Sequence, residues 1–208
     1  MRCGKVVAIG QNYRAHIKEL KSVVPEEPVI FLKPSTAMIR DGEPIIIPSG
    51  LGRIDYEAEL AVVIGKRCKH VTKAEALRYV KEAAVFNDVT ARDVQSAARK
   101  IGQPWSLAKG IDTFAPMSVA KSIEEVGDLH SLSVQMRQNG ELRQNGNTWD
   151  MIFPIEELVA YISKYMTLEP GDVIATGTPE GVGPIKDGDV LEATIPGVGK
   201  LRNPVKGG

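Results

Sequence analysis

Short apolar runs, each closed by Gly, Pro, Asn or Asp, dominate the hydrophobic pattern of the chain. Val- and Ile-rich segments at 5–9, 29–32, 44–47, 58–64, 83–87, 131–138, 173–176 and 190–195 predict strands. The Asn139–Gly140 pair between two strand-like runs predicts a type I′ hairpin, and IPGVGKL near the end predicts a second tight turn. Helical periodicity is rarer. Thr72-Lys-Ala-Glu75 has the form of a capping box, so a helix is expected from 73 to about 83, with Ala76, Leu77 and Val80 on one face. PIEELVAYISKYM places Pro154 at a first helical position, followed by a stripe of Ile155, Leu158, Val159 and Ile162. A short helical piece is expected at 92–100 and a single turn at 13–20. There is no βαβα alternation, GxGxxG or P-loop sequence. The pattern predicts a mainly β or α+β domain.

One stretch breaks the alternation of apolar and polar positions. RIDYEAELAVVIG, residues 53–65, ends as a buried strand but carries Asp55, Glu57 and Glu59 just before its apolar run. Alternate strand residues share a face, so a strand beginning this early would project all three carboxylates from one side. Burying them without a partner is costly.

Composition narrows the classes. A chain of 208 residues is long enough for one good core and one domain. Its 43% hydrophobic and 25% charged content is that of a globular protein. Lys plus Arg (26) equals Asp plus Glu (26), so no net field attracts a polyanion, which argues against a nucleic-acid binder. No apolar run reaches the roughly 18 residues of a membrane span. MRCGKVVAIG lacks the layout of a signal peptide, so a cytoplasmic location is expected. Cys3 and Cys68 stand apart and suggest no zinc site.

Five segments carry candidate chemistry. The acids at 55–59 are either a solvated strand entrance or ligands for a hard divalent cation. Glu57 and Glu59, two residues apart, can converge on one ion, and FNDVTARDVQ offers Asp88 as a third carboxylate. Asp55 is then left over and expected to be exposed. In GQNYRAHIKEL, His16 and Glu19 share a helical face; they are either a surface pair or a general base held by a carboxylate. In SLAKGIDTFAP, Lys109 is read in a loop, either as a surface lysine or as a cation for a substrate carboxylate or enolate. In ATGTPEGVGP, a Gly-rich turn would let backbone N–H groups and Thr178 approach an anion. His70 and His130 lie in polar, turn-like contexts and attract no role.

The order of these segments is more specific than any one of them. GQNYRAHIKE, IFLKPSTA, DYEAELAVVIG, FNDVTARDVQ, AKGIDTFAP and GDVIATGTPEGVG resemble, in sequence, the blocks of the fumarylacetoacetate hydrolase superfamily over nearly the whole chain. The length is similar to that of its small single-domain branch, which includes acylpyruvate hydrolases and oxaloacetate decarboxylases. The resemblance implies a β-rich α+β fold, a mixed β-roll with a few peripheral helices, in a homodimer. It implies Mg²⁺ or Mn²⁺ on Glu57, Glu59 and Asp88, with Ca²⁺ as an inactive substitute. It also implies a His16–Glu19 dyad on a lid over residues 10–24, Lys109 in catalysis, and Arg92, Gln95, Thr178 and Lys33 toward a small 2-oxo acid or diacid. Gln11 departs from many relatives, which carry another residue before the Asn-Tyr pair.

The function expected on this basis is Mg²⁺-dependent cleavage of the C–C bond of acylpyruvates, of fumarylpyruvate or acetylpyruvate type. His16 would activate water against the C4 carbonyl, and Lys109 would hold the charge that develops as pyruvate enolate leaves. The alternatives are an oxaloacetate decarboxylase or tautomerase, a 2-hydroxyhepta-2,4-diene-1,7-dioate isomerase, and a non-catalytic member that binds a metal and a diacid.

Overall fold

The structure, a computed structural model, describes residues 3–208. A six-stranded sheet forms its centre, in the order Lys121–Ser122, Val80–Asn87, Ala58–Ile64, Val173–Ala175, Val6–Gly10 and Val29–Lys33. Val6–Gly10 and Val173–Ala175 pair in parallel; the other neighbours pair antiparallel. Side chains alternate across it, as strand geometry requires. Ile9, Leu60, Val62 and Ile174 point into the larger apolar cluster, and Ala8, Ala61, Val63 and Val173 into a smaller one on the opposite face.

The larger cluster is shared with a five-stranded sheet, ordered Glu141–Asn147, Ser133–Gln138, Val190–Ile195, Gly199–Gly207 and Ile45–Ile47. It is also shared with the helix Ile155–Tyr165, whose Ile155, Leu158, Val159 and Ile162 form the predicted apolar stripe. Pro154 is the residue before this helix rather than its first. Two small sheets complete an α+β architecture rich in strands. Among the described residues, no helix is long and apolar enough to cross a membrane.

Most strand expectations hold to within a few residues, whereas one helix expectation and one loop expectation are corrected. The capping box at Thr72 forms, but its helix ends at Ala76; a 3-10 turn, Leu77–Tyr79, leads into Val80–Asn87. Val80 pairs with Ile64 on the central strand, so sheet pairing captures residues that share a helical face. Lys109 ends a short helix, Ser106–Lys109, rather than lying in a loop; its backbone N–H donates to the Trp105 carbonyl at 3.0 Å. The Asn139–Gly140 turn adopts positive φ at both residues (54° and 84°), as type I′ geometry demands.

Candidate active site

Strand pairing gathers the acids at one end of the central sheet. Ala58 lies opposite Asn87 in the antiparallel register, so Glu57 and Asp88, one step beyond, leave the sheet together. The Asp88 N–H donates to the Glu57 carbonyl at 2.8 Å, and the Asn87 side chain accepts the Glu57 N–H at 2.9 Å. On the other side, Val173–Ala175 runs into the Gly-rich loop. There Gly177 donates its N–H to Glu59 Oε2 at 2.9 Å, and Thr178 Oγ1 donates to the Ala58 carbonyl. Glu57, Glu59 and Asp88 are all buried, and one oxygen from each lies within 4.8 Å of the others.

The charges around this cluster are unevenly matched. Lys109 Nζ donates to Glu57 Oε2 (2.9 Å), Asp88 Oδ2 (2.6 Å) and Thr90 Oγ1 (2.6 Å). Arg92 donates to the other Glu57 oxygen and, through Nε, to Asp55 Oδ2 (2.8 Å); Lys33 Nζ reaches Asp88 Oδ1 at 2.5 Å. Glu59 has no ion-pair partner among the described residues. Burial, with Asp88 and Glu57 close by, pushes its carboxyl well above the ordinary range. Burial acts the same way on Glu57, but Lys109 and Arg92 outweigh it and hold that carboxyl low. The burial that would depress Lys109 is likewise overcome by Asp88 and Glu57.

Asp55 is not the exposed leftover that the sequence suggested. It is fully buried and accepts from both Arg53 Nε (2.6 Å) and Arg92 Nε. The chain breaks its strand at Glu57, between Ile54–Tyr56 and Ala58–Ile64, and Asp55 turns toward the arginines instead of joining the cluster.

The segment Arg14–Glu19 is a helix lying over this end of the sheet. His16 is buried, and its Nδ1 meets Glu19 Oε2 at 3.1 Å. Glu19 also accepts the Gly181 N–H, at 3.2 Å. Asn12 anchors the base of the segment. Its side chain donates to the Thr176 and Phe153 carbonyls (2.8 and 3.0 Å) and accepts the Phe153 N–H at 2.8 Å. Gly177 lies so close that a Cβ there would meet Asn12 Cβ at 2.7 Å, and its φ is +97°.

A small cavity, partly open to solvent, joins the pieces. His16, Glu57, Glu59, Arg92, Gln95, Lys109 and Thr178 all line it. Lys33, expected at the ligand, instead stands behind Asp88 as its partner. Arg92 is tied to the acids and donates Nη1 to Gln95 Oε1 at 2.7 Å, which leaves the Gln95 amide N–H groups outside that bond. Thr178 is held between Ala58 and Gln144 Nε2.

Sequence reasoning passed over Asn12 and Gln144. Gln144 accepts the Ala58 N–H and donates to Thr178 Oγ1 and Pro179 O, clamping the Gly-rich loop to the central strand. Asn12 could have been found as a polar residue beside an apolar strand end; Gln144 carries no local signal.

Comparison with known proteins agrees with this arrangement. The family model described as fumarylacetoacetate (FAA) hydrolase C-terminal matches residues 5–206. Oxaloacetate tautomerase FAHD1, mitochondrial, of Bos taurus is 48% identical over 193 residues, covering 93% of this chain and 87% of that protein. The crystal structure of 5-carboxymethyl-2-hydroxymuconate delta-isomerase from Mycobacterium smegmatis has a TM-score of 0.90 at 45% identity, covering 100% of this chain and 80% of that one. Fumarylpyruvate hydrolase from Pseudomonas aeruginosa, solved with Mn²⁺ and pyruvate, has a TM-score of 0.95 at 33% identity, covering 99% and 91%. The β-rich α+β roll expected from the sequence is the fold of these neighbours.

Proposed function

The chain belongs to the fumarylacetoacetate hydrolase family, and from that premise we propose that it is a divalent-metal-dependent enzyme moving a proton at the carbon beside the oxo group of a small 2-oxo acid. Oxaloacetate keto–enol tautomerisation is the reaction proposed. One observation carries this reading: a buried His16, held by Glu19, shares a cavity with Glu57 and Glu59, which converge with Asp88. The 48% identity to an oxaloacetate tautomerase supports it over bond cleavage.

The donor set fits a hard dication. All three ligand groups are carboxylates, and Glu59 lacks the positive charge that its neighbours have. Mg²⁺ or Mn²⁺ bound there would supply Lewis acidity at the substrate's 2-oxo oxygen and so acidify the adjacent C–H.

The chain's own residues do the rest. Gln95, oriented by Arg92, donates to the substrate carboxylate. Glu19 holds His16 Nδ1, which leaves Nε2 as the nitrogen that removes a proton from C3 and returns it. Lys109 holds the negative charge that develops on the C2 oxygen. In the enol product that oxygen carries the proton that His16 took from C3, and in the reverse direction His16 returns it to C3. The lid excludes bulk water while this happens.

Hydrolysis of an acylpyruvate is the second reading, favoured by the likeness to a fumarylpyruvate hydrolase. In it His16 takes the proton of a water that attacks C4, the C3–C4 bond breaks, and the products are a carboxylic acid and pyruvate.

Parallel assays separate the two. With Mg²⁺, the protein should speed the decay of enol oxaloacetate more than it releases pyruvate from acetylpyruvate, and EDTA should abolish both. His16→Ala should slow tautomerisation by roughly 100-fold. Faster acetylpyruvate cleavage would favour the hydrolase, and pyruvate released from oxaloacetate a decarboxylase. Silence on every substrate with metal bound would leave a binding protein.

A further inference from the structure

Three cationic side chains line the cavity, and two are already committed. Arg92 and Lys109 are bonded to the buried carboxylates. Arg99 forms no ion pair among the described residues. Its hydrogen bond is Nη2 to Ser22 Oγ, at 3.1 Å, and its guanidinium lies 6.0 Å from the Trp105 ring centre. Arg92, Gln95 and Arg99 sit at i, i+3 and i+7 of the helix Arg92–Lys100, so one helix face presents all three to the cavity. Arg92 and Gln95 are at its inner end, and Arg99 is exposed at its mouth.

Aromatic rings lie between Lys109 and Arg99. Lys109 Nζ lies 4.8 Å from the Phe31 ring, Phe31 meets Trp105 edge-on at 5.6 Å, and Arg99 stands over Trp105. An apolar strip therefore joins the inner ammonium to the outer guanidinium. Gln11 lines the cavity too, at φ +58°, and its buried side-chain Nε2 has no partner. Such strained, unsatisfied groups cluster where ligands bind.

We propose that Arg99, assisted by Gln11, forms a distal anion subsite that makes the protein select 2-oxo diacids over 2-oxo monoacids. The proposal rests on the reading above, in which the oxo-acid end of the substrate lies at Glu57, Glu59 and Asp88. A short carbon chain with a carboxylate at each end matches a cavity with cations at both ends and rings between them. A monoacid leaves Arg99 with Ser22 alone. A guanidinium–carboxylate contact at a partly solvated mouth is worth roughly tenfold in affinity.

Unreactive 2-hydroxy acids test this without turnover. Lactate, malate and 2-hydroxyglutarate of one hand share the chelating end and differ at the far end. Calorimetry with the Mg²⁺-loaded protein should show a diacid binding roughly tenfold more tightly than lactate. Arg99→Gln should erase that preference while leaving lactate unchanged, and Arg99→Lys should keep part of it. Diacids binding no better than lactate, or a preference that survives Arg99→Gln, would overturn the proposal. So would its loss in Ser22→Ala, which would make Arg99 a lid latch. Failure of all three acids to bind would overturn the functional reading and this one with it; binding without preference overturns this one alone.

Discussion

Glu57 and Glu59 are two residues apart and line the same cavity, yet their surroundings are opposite. Glu57 is bonded to Arg92 and Lys109, whereas Glu59 has one backbone N–H and two acidic neighbours. Removing one partner of a buried ion pair costs about 3 kcal/mol or more. Glu57→Gln should therefore lower the melting temperature of the metal-free protein by roughly 6 °C or more. Glu59→Gln removes a carboxyl with no cation to satisfy it and should leave that temperature unchanged or raised. Both variants should lose the upward shift that Mg²⁺ gives the parent, since each removes a ligand. Calorimetric melts with and without metal check the three signs; a large drop for metal-free Glu59→Gln would contradict the charge assignment.

At the scale of elements, the proposed lid around Arg14–Glu19 is held at its base by one side chain. Asn12 makes three hydrogen bonds to the Thr176 and Phe153 backbone, and Ile152 donates to its carbonyl at 2.8 Å. Asn12→Ala would strand buried backbone groups, at about 3 kcal/mol together, and release the segment from the Gly-rich loop. Trypsin should then cut at Lys18 and Lys21 faster than in the parent, while the rest of the chain stays resistant. Equal cleavage rates would mean that the Glu19–Gly181 contact alone holds the lid.

The same element shows what a sequence discloses. His16 and Glu19 were visible because the helical period is local, and Glu57, Glu59 and Asp88 because each borders an apolar strand. In the sequence Asp55 reads as exposed because its partners, Arg53 and Arg92, depend on where the strand breaks. In the sequence Lys109 reads as a loop residue because a single helical turn has too few residues to show a period. Val80 satisfied a helical stripe and a strand equally, and only pairing with Ile64 decided between them.

Across the whole molecule, charge also ties distant parts of the chain. His130, which the sequence left without a role, bridges Asp128 (3.1 Å) and Glu156 (2.8 Å) at the start of the long helix. Lys73 also acts on Glu156. The hydrogen bond to Glu156 raises the His130 pKa above its ordinary 6.5, against the opposing effect of burial. Because the folded value exceeds the unfolded one, the bridge stabilises fully below the unfolded pKa and is lost as pH rises through the folded one. The melting-temperature advantage of the parent over His130→Gln should thus be larger near pH 6 than at about pH 9. An advantage that grew with pH would contradict the bridge.

The architecture was legible as β-rich from its short apolar runs, and the order of its motifs pointed to the family. The packing of Arg14–Glu19, Arg92–Lys100 and Ser106–Lys109 around the cavity was not legible, because it depends on contacts between residues far apart in the chain.

The central claim is that this cavity enolises 2-oxo acids, and exchange of the pyruvate methyl protons for deuterium tests it most directly. Followed by proton NMR in D₂O, exchange should be fast with Mg²⁺ or Mn²⁺, stop with EDTA, and slow by roughly 100-fold in His16→Ala. Exchange no faster than in metal-containing solution without protein would contradict the account.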